Sequence, residues 1–491
     1  MGNEPSGEPF TGLTTGFDRR CGARELDTKP RSRLPFTGIA HDSDSQRPDG
    51  RKYIGEYQHK TQVAKTTERN MRIFYSLYDR LLDRRALALA FEKVRRASGA
   101  PGVDGQTISD FQSCLLEELN RLVIELRSKT YQPQPVRRVT IPKPGGGERH
   151  LGIPAVRDRV VQQVLLDILQ PIFDPEFHPS SYGYRPGKSC QMAVAKATLF
   201  IRQYRRTWVV DMDLSKCFDR LDHDLIIASI SKRVKDGSIL ALVEMFLKGG
   251  VMIDHQVEAT EIGSPQGGVV SPLISNIYLD AFDQEMKRRG HRIVRYADDI
   301  LILCATRSGA EQAQAVATEI LEGTLKLTVN AEKTHLVHAS QGVKFLGVTI
   351  STAWTSIQDK NIDAFKEKVK AITRRNSPVN LEQVIADLNP VLRGFANYFR
   401  MANCKSLFTE LAVWIRRRLR HKQLALWKKP SRLHRRLRQL GYQGDFPFMR
   451  MTSWRNSRSP HSSFAMPNAW LAELGLYDLA SVETGVLPKA T

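Results

Sequence analysis

The chain has 491 residues, of which 41% are apolar, and 73 Lys and Arg against 52 Asp and Glu give it a formal charge of +21. That length calls for two or three packed units, and a surplus of this size opposes compaction unless a polyanion neutralises it, so a polyanionic partner is implied. The longest apolar runs, Ala86 to Phe91 and Ile300 to Ala305, fall far short of the ~20 residues that span a bilayer, so no membrane segment is expected.

Six cysteines, none in a CxxC pair, exclude a zinc ribbon and argue against a disulfide framework, so a reducing intracellular setting is expected. The N-terminus shows no signal-peptide apolar core, and the bare Met1-Gly2…Ser6 myristoylation pattern has no second membrane signal beside it.

Gly, Pro and Ser dominate the first 50 residues, so a disordered or loosely docked tail is expected over residues 1–66. Met71, Ile73, Phe74, Leu77, Leu81 and Leu82 approximate helical spacing and predict a helix, opening a helical stretch over residues 67–135. A second helix over Ala86 to Ala97 stops at Ser98-Gly99-Ala100-Pro101-Gly102. Val139 to Ile153 reads as two strands joined by Pro144-Gly145-Gly146-Gly147. Val160, Val161, Val164, Leu165, Ile168 and Leu169 then mark a long one-faced helix. Trp208 to Leu214 is a compact strand, and Arg292 to Cys304 reads as a hairpin turning at Asp298-Asp299. Strands interleaved with helices predict an α+β domain over residues 136–355. Beyond it the pattern turns helical: residues 361–460 hold 22 Lys and Arg against 6 acids, giving a basic helical domain over residues 356–450 and a closing segment over 451–491.

Asp211 and Asp213 share one face of their strand by period-2 geometry, and Asp298-Asp299 sits between apolar strands. Unpaired carboxylates in such surroundings are costly without a cation. Carboxylates converging from two strand ends can hold two Mg²⁺ ions about 3.5–4 Å apart, the arrangement for in-line phosphoryl displacement. An Asp-Asp pair alone is also what any turn favours.

The surrounding residues carry a resemblance. Tyr296-Ala297-Asp298-Asp299 resembles the YxDD box of reverse transcriptases, and Asp213-Leu214-Ser215-Lys216-Cys217-Phe218-Asp219 resembles their first acidic motif. Gly263 to Leu273, with Pro265-Gln266-Gly267, is similar to their nucleotide-pocket motif, and Ile141 to Arg149 followed by Leu151-Gly152-Ile153-Pro154 is similar to their fingers hairpin. Ala100 to Gly105, Tyr182 to Ser189 and Leu388 to Phe399 narrow the resemblance to group II intron-encoded reverse transcriptase/maturases. Ser457-Arg458-Ser459-Pro460 and Asn468-Ala469-Trp470-Leu471 resemble the tail of that group's endonuclease-free bacterial branch, so no HNH nuclease is expected.

That resemblance implies a right-hand polymerase fold, fingers and palm, followed by a helical thumb/maturase domain. It implies Mg²⁺ ligands at Asp213, Asp298, Asp299 and the Leu214 backbone carbonyl, and a general acid at Lys333 for the pyrophosphate leaving group. It implies triphosphate contacts from Lys143 and Arg149, dNTP-pocket roles for Gln266 and Gly267, exclusion of a ribose 2′-OH by Phe218, and a primer grip at Lys344-Phe345-Leu346-Gly347. Eleven bases and no acid from Leu411 to Gly444 mark an RNA-binding surface, with Arg416, Arg417, Arg420, Lys428, Lys429, Arg435 and Arg436 as its contacts. The expected partners are group II intron RNA, an RNA template with a DNA primer, dNTPs and a DNA target site, in a bacterial cytoplasm; a homodimer stays open. Two other readings remain: a splicing-only maturase with an inactive polymerase, and a reverse transcriptase recruited to host defence or repair.

Overall fold

Val209, Val210 and Met212 fill the strand Trp208–Met212, which lies in the interior of a four-stranded antiparallel sheet. Its order is Arg292–Tyr296, Asp299–Cys304, Trp208–Met212, His335–His338. This is the computed structural model of the chain; it describes residues 72–488 apart from 143–147, 254–255, 259–261, 265–266 and 447. Lys143, Gln266, the Pro144-Gly145-Gly146-Gly147 turn and the N-terminal tail therefore lie outside the described residues.

Both faces of the sheet are buried. Val210, Met212, Ile293, Ile300 and Ile302 join one core with the helices Val156–Phe173 and Ser271–Arg288. Val209, Val294, Leu301 and Leu303 join a second core with the helices Cys190–Arg202, Asp359–Ile372, Leu381–Phe399 and Lys405–Trp427. A sheet covered on both sides needs apolar residues at successive positions, which is why Ile300 to Cys304 reads as an unbroken run.

Val136–Pro142 and Glu148–Ile153 form the expected antiparallel hairpin, with Ile141 opposite Arg149. Val251–Ile253 adds to it in parallel, and Gln256–Glu258 follows at the edge. A smaller sheet, Thr355–Ile357, Val348–Ile350 and Val343–Phe345, leads into the helical region. There Lys422 is fully buried, and its ammonium donates to the carbonyls of Arg374 (3.2 Å) and Ser377 (2.7 Å), pinning the loop between two helices.

The helix expected around Ile73 to Leu82 is not formed. Only a 3₁₀ turn, Tyr78–Leu82, stands there. The Asp236 carboxylate accepts from the amides of Leu77 (2.7 Å) and Tyr78 (2.9 Å), and Phe74 exchanges backbone bonds with Arg233 and Lys235. These long-range bonds take the amides that a local helix would use. The first α-helix is Arg84–Ala97, capped by the Asp83 side chain.

Candidate active site

Tyr296 pairs with Asp299 across the hairpin, so the turn is Ala297-Asp298 and Asp299 opens the return strand, one residue from the expected position. Ala297 carries φ +57°. The first position of a two-residue hairpin turn favours positive φ, normally supplied by Gly, and Ala there costs on the order of 1–2 kcal/mol.

Arg295 holds this turn from beneath. It is fully buried, as is Asp283, and they form a forked ion pair with Nη2 to Oδ2 at 2.6 Å and Nε to Oδ1 at 2.9 Å. The remaining nitrogen, Nη1, donates to the Ala297 carbonyl and to Asn276 Oδ1, both at 3.0 Å. Asn276 in turn donates to the Gly183 carbonyl at 2.8 Å. A Cβ on Gly183 would lie 2.3 Å from the Ala297 amide nitrogen, so only glycine lets the Tyr182–Tyr184 backbone rest against the turn. Sequence reasoning missed this cluster. A charged residue inside the otherwise apolar run Ile293 to Tyr296 was its signal, because a buried guanidinium demands a partner.

Asp213 lies just past its strand. Its carbonyl accepts from Asn330 N–H at 2.9 Å, and Leu214 bridges Val329, tying the first acidic motif to the Val329–Thr334 segment. From that segment Lys333 reaches Asp213 Oδ2 at 3.6 Å. Asp299 lies within electrostatic reach of Asp298, Asp211 and Asp213. Asp299 is an exposed residue, yet the surrounding protein desolvates its carboxylate. Desolvation, then repulsion from Asp298, Asp211 and Asp213, pushes its pKa up to about 7. Asp211, opposite Leu301 and His335, is raised to about 6, chiefly by burial.

The nucleotide-pocket loop is strapped to the same motif. Ser264 N–H donates to the Phe218 carbonyl at 2.7 Å and Gly263 N–H to Leu221 at 2.8 Å. The half-buried Phe218 sits in the turn Cys217–Arg220. Gly267 has φ +117°, and a Cβ there would lie 2.4 Å from the Gly152 carbonyl. Its close approach is thus to the hairpin backbone of the protein itself. Gln162 accepts from Val269 N–H at 2.7 Å and fixes the far end of the loop. Arg149 is exposed on the hairpin.

Among the described residues, no three acidic, histidine or cysteine side chains close up into a ready-made metal cage. The donor set nonetheless suits a divalent cation. Mutually repelling carboxylates with one nearby ammonium gain from a cation, and Mg²⁺ is commonly held by one or two carboxylates plus substrate phosphates.

The basic helical region divides in two. Arg416 pairs with Asp478 at 3.1 Å. Arg417 stacks 4.2 Å over Trp454, and Arg420 donates to Met466 O at 2.9 Å and Asn468 Oδ1 at 2.8 Å. These three guanidinium groups hold the C-terminal segment. Lys428, Lys429 and Arg435 face solvent, with Arg432 and Arg438 beside them, and Arg436 sits 5.8 Å over Trp470. Among the described residues no helix is long and apolar enough to cross a membrane.

Residues 141–350 match the family model for reverse transcriptase (RNA-dependent DNA polymerase), and residues 362–441 match the group II intron maturase-specific domain. Protein YkfC of Escherichia coli is 35% identical over 333 residues, covering 60% of this chain and 87% of that protein. The group II intron-encoded protein LtrA of Lactococcus lactis is 27% identical over 444 residues, covering 70% of this chain and 73% of that one. Among solved structures, an apo telomerase from Candida tropicalis shows 13% identity and a TM-score of 0.40. It covers 70% of this chain and 62% of its own, a likeness too loose to carry any argument.

Proposed function

The chain belongs to the reverse transcriptase family, with a group II intron maturase domain behind the polymerase, and on that premise we propose how its residues divide the work. Such a protein acts on nucleic acid and binds RNA. The observation that carries the site assignment is the crowding of Asp298, Asp211 and Asp213 around Asp299 at the strand ends of the palm sheet, where burial first and their repulsion second lift the Asp299 pKa to about 7.

Asp213, Asp298, Asp299 and the Leu214 carbonyl would hold the divalent cations, here Mg²⁺, which supply charge neutralisation at the triphosphate and at the primer 3′-hydroxyl when bound. Arg149 binds triphosphate oxygens through its planar fork, with Lys143 supplying a point charge. Phe218 stands beside the first acidic motif and selects dNTPs by clash with a 2′-OH. Lys333, 3.6 Å from Asp213, would serve as the general acid for departing pyrophosphate. Gln266 and Gly267 would line the dNTP pocket; Gly267 lies against Gly152 of the hairpin, and Gln162 fixes the loop at Val269.

On the maturase side, Lys428, Lys429, Arg435 and Arg436 present charge to group II intron RNA, while Arg416, Arg417 and Arg420 brace the C-terminal segment behind them. A protein that binds only folded RNA shifts the RNA towards that fold by its differential affinity, which assists splicing. A DNA target site for intron mobility belongs to the same reading.

The test is a separation of activities. Asp213→Asn is expected to abolish DNA synthesis and leave salt-sensitive RNA binding unchanged. Equal loss of both would refute the division of labour. RNA binding by a wild type with no synthesis would favour a splicing-only protein.

A further inference from the structure

In the motif Tyr182 to Ser189, Gly183 rests against the acidic turn, and the next residue is conspicuous. Tyr184 has φ +57°, a conformation that side-chain-bearing residues avoid, and 51% of its surface is exposed. Its neighbours are locked. Tyr182 N–H donates to the Arg295 carbonyl at 2.9 Å, and the Gly183 carbonyl accepts from Asn276 at 2.8 Å. Arg185 is clamped to Asp174 at 2.7 Å and to the carbonyls of His178 (3.0 Å) and Ser181 (2.9 Å).

Strain at a residue whose ring is half in water contributes nothing obvious to folding, and a glycine would adopt the same backbone without cost. What the clamped backbone achieves is placement. Gly183 rests on Ala297, so the next residue, Tyr184, emerges beside the Ala297-Asp298 turn. Asp298, Arg149 and Asp299 all lie within electrostatic reach of its hydroxyl. The ring thus lies within reach of both the groups assigned to the cations and the group assigned to the triphosphate. A flat amphipathic face there suits the sugar and base of a nucleotide.

We propose that Tyr184 is a positioning residue of the insertion site, its ring packing against the nucleoside part of the incoming dNTP. The inference rests on the polymerase reading. It is tested by steady-state primer extension with Tyr184→Ala, Tyr184→Gly and Tyr184→Phe, with Asp298→Asn as the control for the chemistry and melting temperature as a second readout. Loss of the ring is expected to raise the dNTP KM on the order of 10-fold to 100-fold, with affinity for the primer–template unchanged. Tyr184→Phe is expected to restore KM to within a few-fold of wild type. Tyr184→Gly is expected to melt no lower than wild type, because it relieves the backbone while removing the ring.

Wild-type KM in the Ala and Gly variants would overturn the proposal. So would a loss confined to primer–template affinity, which would seat the ring on the duplex, or a loss that tracks a lowered melting temperature. Extension equally absent from wild type and Asp298→Asn would instead sink the polymerase reading, and the inference with it.

Discussion

Replacing Asp283 by Leu leaves the Arg295 guanidinium buried with its three hydrogen bonds to the carboxylate gone and only Asn276 and the Ala297 carbonyl as partners. Stranding one member of a buried pair costs about 3–5 kcal/mol, a large share of the roughly 5–15 kcal/mol that holds a typical fold. Removing both charges with Asp283→Leu and Arg295→Met is expected to recover stability to within about 1–2 kcal/mol of wild type, since apolar replacements of similar volume are often neutral. Activity is not expected to recover. The double variant lacks the charged hydrogen bond to the Ala297 carbonyl, worth about 1.5–3 kcal/mol, which offsets the roughly 1–2 kcal/mol of positive-φ strain in the turn. A turn released by even 1 Å misaligns Asp298, and misplacements of that size cost on the order of 10²-fold. Thermal melting and single-turnover primer extension on both variants beside wild type separate the two effects. A stable double variant with wild-type turnover would refute the claim that Arg295 positions the turn.

Gly267→Ala forces a Cβ to 2.4 Å from the Gly152 carbonyl at φ +117°, and a raised dNTP KM is expected in extension assays. The metal-free protein should lose stability as pH rises from about 4 to about 7. Asp299, with its pKa raised to about 7, binds more protons folded than unfolded across that window, so stability falls with pH. Urea melts at several pH values should show a shallower fall for Asp299→Asn, and added Mg²⁺ should flatten it for wild type. Phe218→Val is expected to raise rNTP incorporation by about 10-fold or more, read by paired dNTP and rNTP extension. Each of Lys428→Ala, Lys429→Ala and Arg435→Ala should reduce the slope of log K against log salt for RNA by about 1, whereas Arg420→Ala should lower the melting temperature instead.

The elements legible in the sequence are those whose pattern is local. The fingers hairpin, the strand Trp208–Met212 and the long helix Val156–Phe173 declare themselves by a glycine-rich turn, a compact apolar run and helical periodicity respectively. So does the acidic turn, to within one residue. What stayed hidden depends on distant partners. The Ile73 to Leu82 spacing looks helical, yet Asp236 and Arg233, some 160 residues away, claim its backbone. Arg416, Arg417 and Arg420 look like free charge until the C-terminal segment folds against them. Arg295 and Asp283 are 12 residues apart, on a strand and a helix, and no period links them. Gly183 and Gly267 reveal their purpose only when another backbone is seen against them.

The central claim is that Asp213, Asp298 and Asp299 form a working polymerase site. Extension of oligo(dT) on poly(rA) by dTTP with Mg²⁺, wild type beside Asp298→Asn, tests it most directly. A product ladder from wild type and a loss on the order of 10²-fold or more in the variant is the expected result. Extension by both at similar rates, or by neither, would contradict it.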